Sequence, residues 1–197
     1  MAARGRPRGF DREAALTAAM RLFWQKGYTA TSMADLYQVM DINSPSLYAA
    51  FNSKEDLFLE AIEHYEKCIA PQLWSPLDTA SSVREGVGEW LKRSARILTR
   101  QECPSGCMVT LSNVASEGHV RPGELVKRSR QQGIDKLTAR LDRAVAEREL
   151  AADTDTAALA RMYVGIQQGM SIQARDGADF ATLDAMADMA LALWPAK

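Results

Sequence analysis

Between Ser44 and Lys54 the chain groups side chains that can hold an anion without attacking it. Ser44, Ser46 and Tyr48 carry hydroxyls that donate to phosphate oxygens or base-edge acceptors, Pro45 is a compact apolar surface, and Lys54 carries a full positive charge. Arg4, Arg6, Arg8 and Arg12 add a basic group near the N-terminus, with only Asp11 intervening before Glu13. This is recognition chemistry, not bond-breaking chemistry. No Ser/His/Asp, Cys/His or phosphate-cradling glycine arrangement is present, and the carboxylates fall mostly on expected solvent faces, so no enzyme is expected. The thiols of Cys103 and Cys107, in the run CPSGC, are a separate possibility: an expected loop-to-helix junction can lower a thiol pKa and suit a sensor of oxidants or electrophiles. The competing reading is a small buried hydrophobe. Three irregularly spaced cysteines form no disulfide framework, and His64 and His119 are far apart, so neither metal nor cofactor is expected.

Short elements must position these groups. Ser32 can cap a helix, with Asp35 reaching back in a capping box, and Met33, Leu36, Val39 and Met40 keep helical spacing. Asp41 interrupts, Ile42 plugs the turn, and Ser44-Pro45 starts a second helix with proline in its first turn. Leu47 and Phe51 lie on one side of that helix, while Ser44, Ser46, Ala49 and Ala50 leave the other small and uncharged. Asn52, Ser53 and Lys54 end it and cap the next, which carries Leu57, Phe58, Ala61 and Ile62. This is a helix-turn-helix pattern, in which the start of the second helix enters a major groove. Ser44, Pro45 and Ser46 then face base edges, while Tyr48 and Lys54 hold phosphates. A preceding helix capped by Asp11, apolar at Ala15, Leu16, Ala19, Met20, Leu22 and Phe23 and stopped by Gly27, braces the motif. The arginine arm beside it suits a minor groove or phosphates.

On Phe23, Gly27-Tyr28, Thr31-Ser32, Ser46-Leu47-Tyr48, Phe51, Ser53-Lys54, Leu57 and Phe58, roughly the first third of the chain resembles the DNA-binding domain of the TetR family of transcriptional regulators. The resemblance implies a dimeric all-helical regulator, usually a repressor, released from double-stranded operator DNA by a small effector bound in a variable C-terminal domain. It matches Tyr48 and Lys54 to phosphate contacts and Ser44, Pro45 and Ser46 to base-facing positions, and Ser32 is grouped with them at the DNA. Tyr37 stands where many members have a small residue, Asp41 where the turn usually has Gly, and Ala34 where some place a basic contact. Asp tolerates a left-handed turn better than most residues. With Ala34, fewer direct base contacts are expected.

The remaining chain supports this plan. At 197 residues, two domains are expected: an arm and reader over 1–53, and a regulatory and dimerisation domain over 54–197, with helix 54–70 connecting them as a lever. Composition, 47% hydrophobic and 25% charged without runs of β-branched residues, predicts an all-α fold of about nine helices. A net charge of -1 excludes a general polyanion binder, so DNA affinity must come from local charge. The first residues lack an apolar leader and no apolar run can span a bilayer, so a cytoplasmic protein is expected.

Helices are expected over 79–99, 107–115, 122–150, from Asp153 or Thr154 to about 177, and over 179–193. Trp74, Trp90, Met108, Leu111, Met162 and Tyr163 are candidate cavity walls because the family carries such a cavity. Gly165 and Gly169 lie one turn apart and allow close helix approach, so they and Ile166, Met170, Leu183, Met186, Ala190 and Leu193 form the candidate dimer interface. Two symmetric readers must face grooves about 34 Å apart or a multiple of it. A DNA-bound interaction module with a filled second core is the alternative.

Overall fold

The computed structural model describes residues 10–195; the arm residues Arg4, Arg6 and Arg8 lie outside them. Among the described residues the chain is all-helical, with α1 (Arg12–Lys26), α2 (Met33–Met40), α3 (Ser44–Phe51), α4 (Lys54–Trp74), α5 (Pro76–Thr79), α6 (Val83–Leu98), α7 (Val120–Ala146), α8 (Thr156–Arg175) and α9 (Phe180–Ala192). Side-chain caps start most of them. Asp11, Ser32, Asn43, Ser53, Ser82, Asp155 and Asp179 each accept a backbone N–H of the following first turn. Each such cap contributes about 1 kcal/mol. No described helix is long and apolar enough to cross a membrane.

Buried apolar residues form two clusters. In the first, Leu16, Met20 and Phe23 of α1 meet Leu36 and Met40 of α2, Leu47 and Phe51 of α3, and Leu57, Phe58 and Ile62 of α4. Met108, Val109, Val114 and Val126, distant in sequence, join them. The second cluster joins Trp90 and Leu91 of α6, Leu137 and Leu141 of α7, Tyr163 and Met170 of α8, and Leu183 and Ala187 of α9. Polar ties cross between the clusters. Arg175, at the end of α8, donates to the carbonyls of Trp24 (2.9 Å) and Gln25 (3.2 Å) at the end of α1, and to that of Ser105 (2.9 Å). Arg121 of α7 pairs with Asp56 at 2.7 Å, in the first turn of α4.

The helix expected over 122–150 runs Val120–Ala146, the next is capped by Asp155, and three other expected elements differ more. The segment 107–115 is not a helix: it runs as turns, although Met108, Val109 and Val114 are buried as expected. Its carbonyls are satisfied from outside, because Arg130 of α7 donates to Val109 O (3.1 Å), Thr110 O (2.9 Å) and Ser112 O (2.6 Å). Gly106 enters this segment at φ +79°, and a Cβ there would stand 2.7 Å from Ser171 O, so both the backbone angle and the approach of α8 demand glycine. Next, α4 does not stop near Pro71 but continues to Trp74. The carbonyls near that proline find other donors: Gln72 Nε2 reaches Cys68 O at 3.1 Å, and Arg93 Nη1 reaches Gln72 O at 3.1 Å. Finally, the expected helix over 79–99 begins at Val83, because Ser82 caps it, and the short α5 precedes it.

The capping box of α2 sets one pH dependence. The Ser32 backbone N–H, the Lys26 ammonium and the Ser32 hydroxyl together hold the Asp35 carboxyl at about 2, below its ordinary 3.8. A depressed carboxylate stabilises the fold fully above its unfolded value and loses that contribution as pH falls through the folded one. Thermal unfolding should therefore show wild type more stable than Asp35→Asn at pH 6, with the gap closing between about pH 4 and pH 2.

Candidate nucleic-acid interface

The turn between α2 and α3 takes the conformation its residues favour. Asp41 adopts φ 51°, ψ 45°, the left-handed geometry expected of it, and Asn43 caps α3 by accepting the Ser46 N–H at 3.0 Å. Ser44 is therefore the first helical residue, and its hydroxyl is not a cap. Leu47 and Phe51 are wholly buried and fix the helix in the core, leaving Pro45, Tyr48 and Ala49 exposed on the opposite side with Ser44 and Ser46 half-exposed beside them. Tyr37 fits this crossing: it is half-buried, and its phenol donates to Ser44 Oγ at 3.1 Å. The same phenol neighbours Tyr48, whose own pKa is raised chiefly by the nearby Tyr37. Tyr37, Ser44 and Tyr48 thus form one hydroxyl cluster on the exposed side. The position of Tyr37 one turn before Asp41, facing the start of α3, is the sequence signal for this contact.

The flanking polar residues are partly engaged within the chain. The Ser32 hydroxyl is exposed but exchanges hydrogen bonds with Asp35, at 2.8 and 3.1 Å. Lys54 opens α4 as expected, and its ammonium lies over the Tyr28 ring, 4.5 Å from the centroid. Burial holds its pKa down, against the pull of Glu117 upward. Arg12 does not join a free basic arm: it is committed to Glu60 (2.7 Å), Ala50 O (3.2 Å) and the Phe51 ring (4.4 Å). A guanidinium already bridging three elements has little reach left for a phosphate.

A pocket of about 300 Å³ opens between α4, α7 and α8 and the turns at 107–110. Of the expected cavity residues, Trp74 lines it, together with Ile69, Leu73, Val164 and Arg130. The other expected residues sit elsewhere. Trp90 is wholly buried and stacked behind Trp74 at 5.3 Å, and Tyr163 is buried with its hydroxyl donating to Ala190 O at 3.1 Å. Met162 is exposed on α8, and Met108 and Leu111 line a separate cleft beside Tyr28 and Phe58. Tyr65 and Arg130 were missed, because nothing in the periodicity of α4 or α7 says which faces converge.

Cys107 also lines the pocket, although not at a helix start, since the following residues are turns. Ser171 Oγ accepts its backbone N–H at 2.8 Å, and the Tyr65 phenol, pushed well up by burial and then by Cys107, lies beside the thiol. Cys103 lines a different cleft, with Gln25 and Arg175. Both thiols are free. Among the described residues no group of His, Cys, Asp and Glu could hold a metal ion.

The outer faces of α8 and α9 separate the expected interface residues into two sets. A Cβ at Gly165 or Gly169 would meet nothing within 4 Å, and Leu193 is 67% exposed. Met170, Leu183 and Ala190 instead point into the chain's own second core, so their side chains are not available to a partner. Ile166 and Met186 are intermediate. Ile172 and Met189, 52% and 70% exposed, extend the outward apolar face and were missed because helical periodicity gives a face but not its direction.

Known proteins share this arrangement. The family model described as "Bacterial regulatory proteins, tetR family" matches residues 15–61. The HTH-type transcriptional repressor ComR of Escherichia coli K12 is 36% identical over 194 residues, 98% of this chain and 92% of that protein. The repressor BdcR of the same organism is 43% identical over 105 residues, 53% of each chain. Among solved structures, a cysteine mutant of the TetR family regulator CifR, complexed with 26-bp double-strand operator DNA, has 41% identity and a TM-score of 0.91, covering 97% of this chain and all of that one. With a capped, small-faced α3 set on the two-core helical scaffold, and with similarity along nearly its whole length, the chain belongs to the TetR family of transcriptional regulators.

Proposed function

We propose that the chain is a homodimeric repressor that reads a palindromic operator through α3 and is released when a small effector enters the pocket against α4. The observation carrying this reading is the exposed side of α3, which presents only small groups and the Tyr37-Ser44-Tyr48 hydroxyls where a duplex can approach closely. The operator complex of the similar CifR supports it. In this reading residues 1–53 contact DNA and 54–197 regulate and dimerise. Tyr48 and Lys54 hold phosphates, Ser44, Pro45 and Ser46 meet base edges, and Arg4, Arg6 and Arg8 supply positive charge that the chain as a whole, at -1, lacks.

An effector works by favouring one spacing of the two readers. To weaken operator binding 100-fold it must prefer the released state by about 2.8 kcal/mol, a normal coupling energy. The lever is α4, whose first turn sits beside the motif and whose last turns line the pocket. The position of Cys107 in the same wall supports a second reading, in which electrophiles or oxidants act through its thiol.

Three measurements test these statements. Competition between operator and random duplex should show Tyr48→Phe and Lys54→Ala weakening binding to both alike, about five-fold each, with Lys54→Ala lowering the salt slope by about 1. Changes at Ser44 or Ser46 should alter sequence preference instead; uniform losses from all four would remove the assignment. Sedimentation of a Met189→Lys, Leu193→Lys double variant should give a monomer with weakened operator affinity, because both side chains are exposed in the single chain. Cys107→Ser should abolish release by electrophiles while keeping operator affinity; release equal to wild type would eliminate the thiol reading.

A further inference from the structure

We propose that the pocket takes a small amphipathic monoanion, with a carboxylate on the guanidinium of Arg130 and an apolar body against Ile69, Leu73, Trp74 and Val164. This deepens, and rests on, the reading of the pocket as the effector site. The argument begins with the company Arg130 keeps. Its Nε and Nη2 donate to the carbonyls of Val109, Thr110 and Ser112, all of them neutral. Nη1 makes no hydrogen bond among the described residues, and no carboxylate there lies within ion-pair distance of this side chain. Arg175 is likewise held by neutral carbonyls but lies away from this pocket, whereas Arg12 has Glu60, Arg121 has Asp56, and the buried Arg140 has Glu149. Burial penalises the charge of Arg130 and holds its pKa below the usual value, with Cys107 as the opposing influence. A half-buried guanidinium without a counter-charge favours an oxyanion, which meets the open Nη1 first and can compete with the carbonyls for Nη2.

The remaining wall defines the rest of the ligand. Ile69, Leu73 and Trp74 of α4 and Val164 of α8 give the pocket an apolar patch, with Glu66 of α4 at its edge. Two other charges line it. Lys136 is shared between Asp78, at 3.7 Å, and the face of Trp74, at 5.7 Å, while Glu66 is the carboxylate in the lining. One cation without a partner set against Glu66 favours a single negative charge over a polyanion. The volume, about 300 Å³, is at the small end for ligand sites.

Occupancy would reach the motif through the same arginine. Arg130 pins the turns at 109–112, and downstream of them Glu117 accepts from Thr29 Oγ1 at 2.6 Å while His119 packs on Tyr28 at 4.6 Å, the ring that carries Lys54. A carboxylate competing for the guanidinium loosens this strap.

The test is isothermal titration of the full chain with a series of short aliphatic and aryl-alkyl carboxylates and the matching primary amides, which keep shape and remove charge. Acids should bind at least ten-fold tighter than their amides. Arg130→Gln should erase that difference, and Ala70→Trp, which fills the pocket and leaves Arg130 in place, should abolish binding of both series. Amides binding as tightly as acids would overturn the anion assignment and leave the effector pocket standing. Acids binding undiminished to Ala70→Trp would place the anion site elsewhere and also overturn it. If no member of either series bound a wild-type chain that still holds DNA, both readings of the pocket would fall.

Discussion

One helix belongs to both hydrophobic cores, and that shared membership constrains everything else in the molecule. Leu57, Phe58, Ala61 and Ile62 of α4 are locked among α1, α2 and α3, while Leu73 and Trp74 of the same helix pack on the second cluster. An α-helix is stiff along its axis, and close-packed interiors respond to displacement by switching arrangement, not by yielding. In the proposed release, movement at the Trp74 end is carried along α4 to the motif. The continuation of α4 through Pro71 matters for this reason: the last turns bring Leu73 and Trp74 into the pocket wall.

Arginines on backbone carbonyls form the second structural theme. Arg175 closes the end of α1, Arg93 the end of α4, and Arg130 the turns after Cys107. Each replaces hydrogen bonds that regular structure would have supplied, which is how an irregular segment stays buried without orphaned carbonyls. Such a segment holds its shape through side chains, and side chains can be competed away. The stretch between Gly106 and His119 touches the pocket at one end and the motif at the other, so its irregularity and its position suit a regulator.

The exposed side of α3, the surface proposed to face DNA, is built by restraint. Wholly buried Leu47 and Phe51 hold α3 down, and what remains outward is small, apart from Tyr48 and the Tyr37 phenol that donates to Ser44. Tyr37 is half-buried beside this helix and gives Ser44 a hydrogen-bond partner. With Arg12 committed to Glu60 and Lys54 resting on Tyr28, positive charge on this surface is rationed among residues that also hold the fold.

The sequence alone determined the local features: the capping box at Ser32 and Asp35, the left-handed turn at Asp41, the proline start of α3, and the apolar stripes of the long helices. Each depends on residues within a turn or two of one another, so local chemistry suffices. Which stripe faces which neighbour was left to the folded molecule. It took Met170, Leu183 and Ala190 inward and left Met189 and Ile172 outward, put Trp90 behind Trp74 instead of beside a cavity, and turned 107–115 from an expected helix into a strap. In every one of these cases the deciding partner is far along the chain. Arg130 satisfies carbonyls about twenty residues before it, and Arg175 reaches Trp24, and no periodicity within a single segment can specify contacts at such separations.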